Sequence, residues 1–393
     1  MEKGNSKLKI DYILLIILFL LATVSIVALI GVEPKLPVKL QNQNFIQKQI
    51  MWYGIGCFVI AVIMIIDFDR YTKICWFLYG IGIVMLLGLE LGIPVMGKVQ
   101  TINGATGWYT LPGGLGNFQP SELMKVIMIL VLGTMISQHH QLYTAKRPED
   151  DLFLLGKIFA ASLPPLLLIA KQPDLGNTMV ISFIVAVMIL VAGIRWKYIL
   201  ILVGSVVTAG ATLVAIYFIN KDFFTAHILQ QYQLNRFYGW LSPEEYPTQG
   251  YQLKTAMMAS GSGGLTGKGL GTSEVYFPEA HTDFIFAVIA EQFGFIGTSI
   301  VICLFFLFIY RMIQIALESN DPFGSYICAG VIAMITFQVF QNIGMGIQLL
   351  PITGITLPFL SYGGSSLATY MMAIGFVLNV RSRTQTFMFK EKE

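Results

Sequence analysis

Asp283 stands at the mouth of a very apolar stretch, FIFAVIAEQFGFIG, and Glu291 follows eight residues later. That spacing is roughly two helical turns, so both carboxylates can face one side, with Glu291 about 12 Å deeper. Carboxylates at membrane depth are costly and face a cavity or a partner charge. Asp283 is also well placed to cap a helix, and Glu291 could be held in a structural ion pair. In QPSELMKV, Glu122 and Lys125 are three apart, which suits a local ion pair or a lysine reaching out to an anionic head group. Lys171 and Asp174 fall in KQPDLGN, a Pro-Asp turn. Arg236, near Trp240, can hold a phosphate through a fork of hydrogen bonds or pair with Glu244 or Glu245. Lys268 lies in GSGGLTGKGLG. A phosphate loop needs G-x-x-x-x-G-K-[ST], whereas Lys268 is followed by Gly269. The glycines alternate with apolar residues, unlike a polar linker, and point to close backbone packing.

The elements that carry these residues follow from composition. Hydrophobic residues make up 55% of the 393, charged residues 12%, and mean hydropathy is +0.70. Soluble domains are about a quarter charged, so the chain is read as a membrane protein. The net charge of +3 is dispersed, which argues against nucleic acid as a partner. Cys57, Cys75, Cys303 and Cys328 lie in apolar runs without metal spacing and behave as small hydrophobes. Ten apolar spans are expected near 11–31, 49–66, 74–92, 121–137, 152–170, 177–194, 198–219, 284–310, 324–349 and 366–380. Their backbones must be satisfied internally, so the fold is all-α and polytopic. The first span is too long for a signal-peptide core and is read as retained. Lys and Arg concentrate at both termini and in the short segments near 70–73, 146–147 and 195–197. Both termini are therefore placed in the cytoplasm. The loops near 93–120 and 220–283 then face outward. So does LLPITGITLPFLSYGGSS, an uncharged stretch suited to re-entrant backbone lining a cavity. All these polar features gather on the outer face, which implies a polar, anionic or lipid-linked substrate.

QPSE (119–122), QPDLG (172–176), the stretch 261–297 and NIGM…LLPITGITLPFLSYGGSS (342–366) together resemble the SEDS family of bacterial shape, elongation, division and sporulation proteins. The resemblance spans essentially residues 1–393 as one integral membrane domain. QPDLG and NIGM favour the rod-elongation branch over the division branch, while TGITLPFLSYGG is also close to the sporulation branch. The resemblance implies a cell-membrane peptidoglycan glycosyltransferase. It would polymerise lipid II into β-1,4 glycan strands and release undecaprenyl pyrophosphate, beside a class B penicillin-binding protein and other elongation-complex membrane proteins. Asp283 matches the family's essential aspartate and would take the proton from the acceptor hydroxyl. Lys125 and Arg236 would neutralise the pyrophosphate, with Lys171, Lys254 and Lys268 as further candidates and a divalent cation as an added possibility. Trp108 would stack on sugar or position its loop, or serve as an interfacial anchor; Glu122, Asp174 and Glu291 complete the expected site. An arginine expected beside Trp108 is missing. A flippase for lipid-linked precursor and a non-catalytic scaffold for a transpeptidase are the competing readings.

Overall fold

The structure, a computed structural model, describes residues 10–37, 44–102, 105–111, 116–144, 147–227, 231–272 and 277–384. Helices stand at all ten expected spans. These are α1 (Tyr12–Val32), α2 (Phe45–Ile65), α3 (Phe68–Glu90), α4 (Pro120–Leu142), α5 (Pro148–Lys171), α6 (Leu175–Val191) and α7 (Trp196–Ile219), then α11 (Ile285–Glu318), α12 (Pro322–Gly346) and α13 (Gly364–Arg383). Eight are long and apolar enough to cross a membrane. The other two are α6, with 17 residues, and α13, whose last turn carries Arg381 and Arg383. The protein is a multi-pass membrane protein.

Local chemistry sets the helix ends. Asp11 caps α1 by accepting from the Leu14 amide at 3.0 Å, and Pro120 opens α4 at a position where no amide is needed. The most enclosed helices are α4, α12 and α13, which pack against one another, and α4 and α12 also pack against α6. By contrast α7 buries only Ile199 and stands at the rim. At the bundle end away from the α4 N-terminus, Asp11 is buried and paired with Arg311 at 2.6 Å and Arg381 at 3.5 Å.

The two long connections are folded rather than irregular. Residues 220–283 hold α8 (Lys221–His227), α9 (Gln231–Leu241) and α10 (Pro247–Ser262). Residues 93–120 hold an antiparallel sheet in the order β1 (Lys98–Ile102), β2 (Ala105–Thr110) and β3 (Asn117–Phe118). Tyr109 of β2 is fully buried and donates to the Met85 carbonyl of α3 at 3.0 Å. Strand alternation then turns its neighbour Trp108 to the other face of the sheet.

The glycine-rich stretch after α10 packs as its composition implies. The Lys268 and Gly269 amides donate to the carbonyls of Glu291 and Gln292, each at 3.0 Å, and the Phe295 and Ile296 amides return to Gly264 and Leu265 at 2.9 and 3.1 Å. This exchange fills the gap in α11, where Gly294 leaves helical geometry (φ 63°, ψ −159°). The loop's amides are thus spent on backbone, not on phosphate. A Cβ on Gly267 (φ +80°) would collide with the Gln292 carbonyl. We expect Gly267→Ala to cost about 2 kcal/mol or more, measured by thermal unfolding in detergent; an unchanged midpoint would show that the kink does not depend on this packing.

Candidate active site

The first polar constellation stands on the N-terminal ends of α4 and α6. Asp174 is not merely part of a turn: it is the N-cap of α6, accepting from the Asn177 amide at 3.0 Å. Its second oxygen accepts from Gln119 (2.8 Å), Ser121 (3.2 Å) and the Asn177 side chain (2.8 Å). That carboxylate fixes the two helix starts against each other and holds Gln119 at the surface of a cleft. Glu122, one residue past Ser121, reaches the same cleft.

Asp283 arrives from the other side. The alternative role in helix capping fails, because α11 begins at Ile285 with Phe284 as N-cap and no side chain bonded to it. Asp283 is held by its backbone instead. Asn342 of α12 donates to the Asp283 carbonyl and to the Ile355 carbonyl, both at 2.7 Å. Ser361 donates to the Thr282 carbonyl at 2.6 Å, and the Tyr362 amide to that of His281 at 2.9 Å. Residues 351–357 are non-helical backbone, stitched under residues 281–283. Gly354 adopts φ +73°, where a Cβ would sit 3.5 Å from the Asp283 carboxylate. Among the described residues that carboxylate has no hydrogen-bond donor.

Arg236 is brought in by α9. Trp240 donates to the Gln348 carbonyl and Gln348 to the Trp240 carbonyl, each at 2.9 Å, so α9 docks on the same re-entrant segment. Arg236 then donates to the Thr353 carbonyl at 3.1 Å. Glu244 pairs with Lys254 at 2.7 Å.

These parts enclose one open cleft of roughly 390 Å³. Trp108, Glu122, Asp174, Arg236 and Asp283 all line it. Low-dielectric walls push the Asp283 carboxyl up to about 7; Glu279 adds to the rise and Arg236 opposes it.

Five of the expected residues lie elsewhere, and of these Lys171, at the end of α5, and Lys254, paired with Glu244, do not line the cleft. Lys125 is fully buried beneath the cleft, 2.8 Å from Glu122 and over the Tyr370 ring at 5.6 Å. The Gln338 amide oxygen, turned toward it, accepts at 3.0 Å. It meets no head group in this conformation, because it is fully buried against Gln338 of α12 and Tyr370 of α13. Lys268 and Glu291 pair with each other at 3.2 Å beside the α11 kink and do not line the cleft. Reading Asp283 and Glu291 as one helical face failed because residues 279–284 are turn, not helix.

The cleft also has lining residues that the sequence reading did not single out: Lys48, Trp52, Gln119 and Glu279. Glu279 occupies left-handed backbone (φ +58°) and accepts from Thr282 at 2.8 Å. Its sequence signal was the proximity to Asp283 in FPEAHTD. Among the described residues no group of three or more His, Cys, Asp or Glu is placed to hold a metal ion.

A polytopic helical membrane bundle with carboxylates and an arginine around a polar cleft at one end is the class of protein this geometry defines. The sequence profile of the FtsW/RodA/SpoVE cell cycle proteins matches residues 11–386, and the chain belongs to that family, the SEDS proteins. It is 38% identical to the stage V sporulation protein E of Bacillus subtilis over 94% of this chain and 96% of that one. It is 33% identical to the probable peptidoglycan glycosyltransferase FtsW of Geobacter metallireducens, over 86% and 85%. Among solved structures, a chain from a peptidoglycan synthase complex that coordinates polymerization and crosslinking superposes with TM-score 0.76 at 27% identity, covering 95% and 98%. The rod shape determining protein RodA of Thermus thermophilus gives 0.65 at 26%, covering 97% and 99%.

Proposed function

We propose that the protein is a peptidoglycan glycosyltransferase that polymerises lipid II at the outer face of the cell membrane. The observation that carries this reading is the Asp283 carboxyl, raised to about 7 and held without a donor in a cleft shared with Arg236. The acceptor sugar hydroxyl must lose a proton as it attacks the anomeric carbon of the donor. The new C–O bond forms as the bond to the undecaprenyl pyrophosphate breaks, and Asp283 receives the proton. A base with a pKa near ambient pH suits that transfer. The departing pyrophosphate needs cationic donors and no proton. Arg236 supplies a fork of donors, and Lys48 is a second cation on the cleft wall. Trp108 and Trp52 offer faces for the sugar rings.

Family relatives named as probable peptidoglycan glycosyltransferases support the activity. The Lys and Arg distribution supports cytoplasmic termini, which sets the cleft on the outer side. A class B penicillin-binding protein is the proposed partner, in line with the synthase-complex neighbour. QPDLG and NIGM support a role in elongation with other elongation-complex proteins, as does the fold match to RodA. The 38% identity to the stage V sporulation protein favours a second reading, the same chemistry used in spore envelope synthesis. Complementation of elongation and sporulation mutants separates the two.

The test is glycan strand formation from lipid II by the purified protein with its partner transpeptidase, wild type against Asp283→Ala. Strands from wild type alone support the polymerase; none from either, with folded and partner-bound protein, favours a flippase or scaffold. For the pyrophosphate assignment, Arg236→Ala should lower kcat/KM about 100-fold. Unchanged kinetics would remove Arg236 from the reaction.

A further inference from the structure

A second cavity, of about 430 Å³, lies at the other end of the bundle, between α3, α4 and α5. Trp76, Tyr79, Gln138, His139 and Lys157 are among its lining residues. His139 is 17 residues beyond Glu122 on α4, so the cavity is about 25 Å along the helix from the cleft.

Two of its polar groups have no hydrogen-bond or ion-pair partner among the described residues. Lys157 lies nine residues into α5, about 14 Å from the helix start, in a span apolar enough to cross a membrane. Its side chain turns back toward the helix N-terminus, over the Phe153 ring at 4.2 Å and the Tyr143 ring at 5.8 Å. Among the described residues it makes no ion pair. The nearby carboxylates are otherwise engaged: Asp150 accepts from the Arg147 amide at 2.8 Å, and Asp151 faces Arg195 at 3.6 Å. His139 is 3% exposed, stacks on Tyr143, and its Nδ1 is buried without a hydrogen-bond partner. An ammonium that faces only aromatic rings at the end of an apolar span, with no counter-charge among the described residues, and an imidazole nitrogen without a hydrogen bond are both costly. One anionic, hydrogen-bond-accepting ligand would satisfy both.

We propose that this cavity binds the phosphodiester of an anionic phospholipid, with Lys157 pairing the phosphate and His139 and Gln138 supplying hydrogen bonds. The walls favour a lipid over a soluble phosphate. Trp76 and Leu142 are exposed beside the polar groups, and Met135, Ala160 and Ala161 continue the lining as apolar surface. A cation with an amphipathic aromatic belt is the chemistry of a headgroup site.

The test uses the full-length protein in nanodiscs containing brominated phosphatidylglycerol or brominated phosphatidylcholine. Trp76 fluorescence is isolated by difference from Trp76→Phe. Brominated phosphatidylglycerol should quench Trp76 at roughly ten-fold lower mole fraction, the worth of one charge-assisted hydrogen bond. Lys157→Met should erase the preference and Lys157→Arg keep it. Equal quenching by the two lipids in wild type overturns the proposal, whatever the variants do. So does a preference that survives in folded Lys157→Met. Loss of quenching on adding millimolar glycerol phosphate would assign the site to a soluble phosphate, and loss on adding the partner transpeptidase would assign this face to a protein interface.

Discussion

Asp283→Ala is expected to abolish glycan polymerisation, with a loss of about 1,000-fold or more, within the range for removing a positioned general base, while the protein stays folded and partner-bound. The backbone contacts explain why the fold should survive. Asn342 and Ser361 hold the carbonyls of residues 283 and 282, not the side chain. The active form is the carboxylate, so polymerisation should rise with pH through about 7, the position set by burial and Glu279 against Arg236. Removing one contributor with Glu279→Gln should move that limb to lower pH. Stability should run the other way. A carboxyl raised above its unfolded value favours the fold while protonated; that contribution is whole below about 4, falls as pH rises at roughly 1.4 kcal/mol per pH unit, and is gone above about 7. Asp283→Asn should therefore be inactive yet more resistant to unfolding than wild type above pH 7. Substantial activity in Asp283→Ala, or a pH profile flat between 6 and 8, would take Asp283 out of the base role.

Ten spans were legible because a helix that crosses a membrane is apolar whether it faces lipid, like α7, or neighbouring helices, like α4. The small sheet and the helices of residues 220–283 were not, because these short elements have little net hydrophobicity and do not stand out as spans. Asp283, Arg236, Trp108, Glu122 and Asp174 were legible as polar residues sharing one face. Their true supports were not. Asp283 is aimed by the uncharged segment around Gly354 and by Asn342, and no local pattern reveals which distant backbone a loop will bind. The same limit misplaced Lys268 and Glu291. Lys268 looked like an isolated charge with a job at the substrate, whereas Glu291 was equally open to a structural ion pair, which is what it forms. Together they form an ion pair at 3.2 Å where α11 breaks at Gly294.

Lys125 carries the second large effect, and here stability and chemistry must be separated. Lys125→Ala would leave Glu122 as a buried carboxylate without its counter-charge. Breaking a buried pair from one side costs about 3–5 kcal/mol, so thermal unfolding of the single variant should fall sharply and little protein should be recovered from membranes. Neutralising both partners with Lys125→Met and Glu122→Gln removes the uncompensated charge, and most of the stability should return. Activity should not return with it. Glu122 lines the cleft and Lys125 is the ion that orients it, so the double variant is expected to polymerise at least about 10-fold more slowly, from the lost charge at the wall. A double variant that is stable and as fast as wild type would make the pair purely structural. One that stays unstable would show that burial of a lone charge is not what the single substitution breaks.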